Sequence, residues 1–135
     1  MISFEVESLF TNIPFKETIE LAVNLLMENL ELKITKPQLR KLFVFATKQS
    51  HLSFDKVIYD QVDGVAMGSP LAPALANLFL GNFESLWLKD ARAKKVLFYR
   101  CYVDDIFCLF EKEADYVEFY EFINSEHPNI RFIFE

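Results

Sequence analysis

The sequence predicts an α+β domain in which a mostly antiparallel sheet carries helices packed on one face. Three observations lead there. The first is size and composition: 135 residues, 52% hydrophobic and 16% aromatic with 15 Phe, make one domain with a sizeable core and exclude a disordered chain. The second is punctuation: three Gly and five Pro leave little room for long loops. The third is the order of patterns along the chain: strand, two helices, a small hairpin, a helix, a strand-turn-strand unit, a helix and a last strand.

Ile2-Ser3-Phe4-Glu5-Val6 alternates as a strand does, with Ile2, Phe4 and Val6 on one face and Ser3 and Glu5 on the other. It begins almost at Met1, with nothing upstream to pair with it. A truncated start and an exposed, aggregation-prone sheet edge are therefore expected. Residues 7–14 are a connection, because Pro14 disfavours helix at Ile13. Residues 15–30 show a helical stripe of Ile19, Val23, Leu26 and Leu30, with Leu25 and Met27 beside it. Thr35 is a plausible N-cap for a second helix with Pro37 in its first turn. Its inner face is expected to be Leu39, Leu42, Phe43 and Ala46, with Arg40, Lys41 and Lys48 outside. Residues 51–54 and 57–61 form a hairpin through Asp55-Lys56.

Gly64 and Gly68 allow a partner to approach the backbone closely. Ser69 is placed to cap a helix that Pro70 starts, running to about Lys89 and burying Leu71, Leu75, Leu78, Phe79, Phe83 and Leu86. The free N–H groups at its start suit a phosphate or a base edge, although a Gly-rich turn is also how many helices begin. Residues 113–126 make an amphipathic helix with Tyr116, Phe119, Tyr120 and Ile123 inward, broken by His127-Pro128-Asn129. Residues 130–134 are the last strand.

The stretch 97–110 consists of two apolar, β-prone runs meeting at Asp104-Asp105. A carboxylate in such a setting is costly unless it is paired or holds a metal. The stretch reads either as a hairpin with a metal site at its tip or as an ordinary Asp-Asp turn. Glu5 is a third acid in an apolar strand. A sheet that sets the first strand beside the Asp-Asp hairpin clusters all three, and divalent cations held there could activate a 3′-hydroxyl and neutralise a triphosphate.

The net charge of −6 is the wrong sign for a protein that merely coats nucleic acid. It is uneven: Lys89, Arg92, Lys94, Lys95 and Arg100 against Asp90 give residues 86–101 a charge of +4, while seven acids against Lys112 and Arg131 give residues 111–135 a charge of −5. The basic stretch is a local patch or a solvated loop. His51 and His127 each stand alone in sequence and read as surface or turn residues rather than ligands. Cys101 and Cys108 could face each other across the hairpin, but without a signal peptide or a cysteine framework they read as buried free thiols. An intracellular setting, nuclear or cytoplasmic and not secreted, is expected. No charge occurs in residues 64–83, yet its Gly, Pro, Ser and Asn break the apolar surface, so no membrane span or membrane partner is expected.

Tyr102-Val103-Asp104-Asp105 resembles the motif C box of reverse transcriptases. Gly64-Val65-Ala66-Met67-Gly68-Ser69-Pro70-Leu71-Ala72-Pro73 with Asn77 resembles motif B, and Phe4-Glu5-Val6-Glu7-Ser8-Leu9-Phe10-Thr11-Asn12-Ile13-Pro14 resembles motif A. The Ser-Leu-Phe-Thr-Asn-Ile-Pro run and the closing His-Pro-Asn-Ile-Arg-Phe are similar to Penelope-like retroelement reverse transcriptases. The resemblance covers essentially the whole chain, with three motifs in order. It implies a polymerase palm-like fold and RNA-directed DNA polymerase activity: two-metal-ion transfer of dNTPs to a primer 3′-OH, with Mg²⁺ or Mn²⁺ as the two ions and an RNA or DNA template with its primer as partner. It implies that Glu5, Asp104 and Asp105 are catalytic metal ligands. Phe10 would lie beneath the sugar and exclude a 2′-hydroxyl. The backbone around Val6 and Leu9 would run along the triphosphate, and Gly68, Ser69 and Pro70 would touch the template and the nascent base pair.

Three departures accompany the resemblance. Glu5 stands where the family carries aspartate, and Met67 where many members carry glutamine. The upstream fingers and the thumb, expected from a longer polyprotein, are also missing, so residues 1–135 read as a palm core with part of the fingers from a truncated and impaired copy. The other readings are an inactive nucleic-acid-binding remnant, a plain α+β interaction domain and, as the nearest different enzyme, a nucleotidyl cyclase-like palm, which fits the Gly-Ser-Pro-Leu-Ala-Pro helix start and Phe10 less well.

Overall fold

The structure is a computed structural model that describes residues 1–48, 51–90 and 93–134. Strand β1 (Ile2–Val6) runs into a short helix α1 (Leu9–Asn12), followed by α2 (Phe15–Asn29) and α3 (Lys36–Lys48). A hairpin of β2 (His51–Phe54) and β3 (Val57–Asp60) precedes α4 (Ala72–Trp87). Then come β4 (Val96–Tyr102), β5 (Asp105–Phe110), α5 (Glu113–Ser125) and β6 (Phe132–Phe134). The main sheet has the order β4-β5-β1-β6, every pair antiparallel, and β2-β3 form a separate ribbon. This is the α+β architecture expected from the sequence.

Period-two alternation decides which face of the sheet is covered. Phe4, Val6, Ile106, Cys108 and Phe132 point into the core and are almost fully buried. Beneath them lie Phe79, Phe83 and Trp87 of α4 and Phe119, Phe122 and Ile123 of α5. The aromatic rings interlock: Phe4 lies 5.2 Å from Phe134 and 5.8 Å from Tyr120, while Trp87 meets Tyr99 and Phe119 edge-on at 5.3 Å. Such pairs add about 0.5–1.5 kcal/mol each beyond area burial. The opposite face, with Tyr102, Arg100, Phe98 and Asp105, is uncovered.

The helices differ from expectation in their faces and ends. In α4, Leu86 is exposed, and the inward positions are Ala72, Leu75, Ala76, Phe79, Leu80, Phe83 and Trp87. The helix stops at Trp87 and starts at Ala72, with Pro73 in its first turn, so Pro70 lies in the preceding turn. In α3, Leu42 and Ala46 are exposed; Leu39 is buried, Phe43 and Val44 partly so, because this helix packs mainly against α2. Arg40, expected outside, forks onto Glu20 of α2, with Nη2 donating to Oε2 at 2.7 Å. Leu25 of α2 is exposed, as is Leu30, which lies just past the helix end, and Phe15, Thr18 and Ala22 complete the inner stripe. In α5, Tyr116 and Tyr120 are only partly buried, and Phe122 joins Phe119 and Ile123 in the core. Within the connection 7–14, α1 forms because Thr11 Oγ1 donates to the Ser8 carbonyl and Asn12 Nδ2 to the Glu7 carbonyl, both at 2.9 Å.

The two cysteines lie on the core face but not opposite each other: Cys101 pairs with Ile106, and Cys108 with Tyr99. They are one diagonal step apart, too far for a disulfide without backbone movement. Both are free, and burial pushes each thiol up to about 12. Residues 64–83 form no span, since no helix among the described residues is long and apolar enough to cross a membrane.

The thiols generate a pH prediction. Their native values lie above the unfolded value of about 9, so the native state binds more protons in between. Unfolding free energy is expected to fall as pH rises from about 9 towards 12. Denaturant titrations across that window check it, and a Cys101→Ala/Cys108→Ala variant is expected to show a shallower fall.

Candidate active site

The site is built by the pairing of β1 with β5. Glu5 stands directly opposite Asp105, and Asp105 also stands opposite Tyr102 of β4. Side chains at opposed positions leave the sheet about 4.5–5.5 Å apart. Glu5 and Asp105 therefore rise side by side from the uncovered face, one half-buried and one exposed. Asp104 is the next residue, in the turn, and its carbonyl accepts the Val6 N–H at 2.9 Å. The three acids singled out in the sequence thus come from neighbouring positions: Glu5 and Asp105 on two paired strands, and Asp104 in the turn beside them.

The turn itself is strained. Val103 has φ of 58°, a left-handed conformation that a β-branched residue rarely adopts. Such strain, of order 1–3 kcal/mol, persists only where the surroundings impose it. Here the Val6–Asp104 bond on one side and a contact from Cys101 Sγ to the Val103 carbonyl at 3.6 Å on the other hold it. From below, Tyr99 donates its hydroxyl to Glu84 of α4 at 2.5 Å, tying the helix after the Gly-Ser-Pro turn to the strand before the Asp-Asp turn. Glu84 carries no sequence signal, being an ordinary acid on a helix.

The same helix and its preceding loop are tied to the segment after β1. Val65 N–H donates to the Phe10 carbonyl at 2.7 Å. Asp63 Oδ1 accepts the Phe15 N–H at the start of α2 at 3.1 Å and the Gly64 N–H at 2.9 Å. Gly64 packs so close that a Cβ there would lie 2.5 Å from the Thr11 carbonyl oxygen and 2.6 Å from that of Phe10. The close approach expected at the two glycines therefore has two meanings. Gly64 is approached by the chain's own backbone, whereas Gly68, at φ of 93°, has nothing within 4 Å of such a Cβ. Ser69 Oγ accepts the Leu71 N–H at 3.4 Å, and Pro70 is exposed.

The remaining sequence candidates fall as follows. Phe10 is half-buried against the core, and the side chains of Val6 and Leu9 are fully buried, so those two can offer a ligand only backbone. Lys95 turns to the acidic helix, donating to Glu118 at 2.6 Å and lying 3.5 Å from Asp115, which partly neutralises the basic stretch. Arg92 and Glu135 lie outside the described residues, as does the side chain of Lys94. His51 pairs with Asp60 at 2.6 Å on the exposed ribbon, as a surface histidine would, whereas His127, beside the turn before β6, is mostly buried, 3.3 Å from Glu17 and edge-on to Phe79 at 5.4 Å.

Among the described residues no group of three His, Cys, Asp or Glu stands ready to hold a metal ion. The donor set still fits a hard cation in kind, because Mg²⁺ is usually held by one or two carboxylates with water and substrate phosphates completing its shell. Glu5 and Asp105 supply such a pair.

The two glycines give a clear contrast. Gly64→Ala adds a backbone clash to an unfavourable φ, while Gly68→Ala adds only φ strain of order 1–3 kcal/mol. Thermal melts are expected to show Gly64→Ala as the far more destabilised variant.

A family model for reverse transcriptase (RNA-dependent DNA polymerase) matches residues 1–133. A search of curated proteins found no match. Reverse transcriptase domains act on a template with its primer and on dNTPs, and generally use divalent metal ions. The chain belongs to the reverse transcriptase family.

Proposed function

We propose that this chain is the palm of a Penelope-like retroelement reverse transcriptase, with α3 and the β2-β3 ribbon forming part of the fingers. The observation that carries this reading is the opposed pair Glu5 and Asp105, with Asp104 beside it in a strained turn. In the reaction the oxygen of the primer 3′-hydroxyl attacks the α-phosphorus of the dNTP. The bond to the bridging oxygen breaks and pyrophosphate leaves with the displaced electron pair. Glu5, Asp104 and Asp105 are the residues that would hold two Mg²⁺ or Mn²⁺ ions, whose chemistry is to ease hydroxyl deprotonation and neutralise the triphosphate.

The chain's own residues then have separate tasks. Val6 N–H is engaged by the Asp104 carbonyl and Glu7 N–H by that of Arg131, so backbone contact to the triphosphate falls to Ser8 and Leu9. Phe10, its carbonyl pinned by Val65, closes the sugar pocket. Gly68, Ser69 and Pro70 face the template because Gly68 is open where Gly64 is not. The setting is intracellular, nuclear or cytoplasmic.

A second reading, an inactive nucleic-acid-binding remnant, is favoured by one residue. Glu5 is a methylene longer than the aspartate it replaces, and a displacement near 1 Å can cost about 10²-fold in rate. Primer extension separates the two readings. Glu5→Asp is expected to raise the rate towards that factor, and Asp104→Asn in that background to abolish it. No extension by Glu5→Asp supports the remnant.

A further inference from the structure

We infer that Arg100 grips a backbone phosphate of the primer strand, one nucleotide step behind the reacting 3′ end. The inference rests on the polymerase reading above. Arg100 alternates with Tyr102 and Phe98 on the uncovered face of β4 and stands opposite Phe107 of β5. Its guanidinium carbon lies 4.8 Å from the centre of the Phe98 ring, and Nη1 donates to the Tyr99 carbonyl at 2.9 Å. Phe98 and Phe107 meet edge-on at 6.1 Å beneath it. The side chain is thus held in place, and among the described residues no carboxylate pairs with it. Most of its five N–H donors remain for a ligand.

The charge layout decides which ligand. Ser3, Arg100, Tyr102, Asp105 and Phe107 line one open cavity of about 310 Å³. Asp105 lies within it, Glu5 stands beside Asp105 in the same row outside its lining, and Arg100 sits two residues back along β4 from Tyr102, the partner of Asp105, about 7 Å away. A strand whose 3′ end lies over the acid row would bring its preceding phosphate over Arg100. The incoming triphosphate has a different place. The segment from Val6 to Leu9 lies on the β1 side of Asp105, and Arg100 on the β4 side, with β5 between them. An arginine stacked on an aromatic ring also suits a phosphate better than a mobile lysine does.

The test is equilibrium binding of a labelled primer–template to the full chain, without nucleotide, at salt from about 50 to 200 mM. Each phosphate contact contributes about 0.9 to the slope of log affinity against log salt. Across that range the parent is expected to lose about three to four times more affinity than Arg100→Gln, while Arg100→Lys keeps most of the parent slope. Melting temperatures of all three confirm that they are folded. Equal slopes for parent and Arg100→Gln overturn this inference and leave the polymerase reading standing. A folded parent that binds no primer–template overturns both.

Discussion

The register between β1 and β5 is the constraint on which the rest depends. Phe4 opposite Ile106 sends apolar side chains into the core, and the same register sets Glu5 opposite Asp105 on the other face. A slip of one residue would reverse both faces at once, burying the acids and exposing the phenylalanine. Packing in the core therefore holds together two carboxylates that would repel each other if left to themselves. Phe4 alone touches Phe119, Tyr120 and Phe134, and truncating such a residue to alanine typically costs about 3–5 kcal/mol.

Around that pairing the chain is tied by a few polar contacts between distant segments. Asp63 caps α2 from the far loop, Phe10 and Val65 share a backbone bond, and Tyr99 meets Glu84. Asn124 pins the last strand to α5, accepting the Phe132 N–H at 2.8 Å and donating to its carbonyl at 3.2 Å. The Phe10–Val65 bond joins two of the family motifs directly, and the Asp63 and Tyr99 contacts lie next to them in sequence. The loop before α4 and the hairpin of β4 and β5 are consequently placed relative to β1 rather than free to wander. The uncovered sheet face, carrying Glu5, Asp105 and Arg100, is the surface proposed above to meet a nucleic acid strand.

Much of this was legible in the sequence, for a physical reason. Strands with one covered face must alternate, so β1 and the 97–110 hairpin could be placed to within a residue or two. The helices were legible in place but less so in face. Leu86 reads as inward on apolarity alone, but Trp87 continues the line from Phe83 and takes the buried position. Helix α1 is not legible because four residues are too short to show a period, and local side-chain bonds from Thr11 and Asn12 make it. Asp63 and Glu84 were illegible because their partners lie 48 and 15 residues away in sequence. The acids Glu5, Asp104 and Asp105 stood out because carboxylates are rare in apolar strands.

The most direct test of the account is the melting temperature of the full chain against Mg²⁺ and Mn²⁺ concentration, for the parent and for Asp104→Asn. A cation bound only by the native state stabilises it, by about 2.7 kcal/mol at a hundred times its dissociation constant. The account predicts a rise in the parent that is lost in Asp104→Asn. Equal rises in the two proteins, or none in a folded parent, would contradict the claim that these carboxylates form a metal-binding centre.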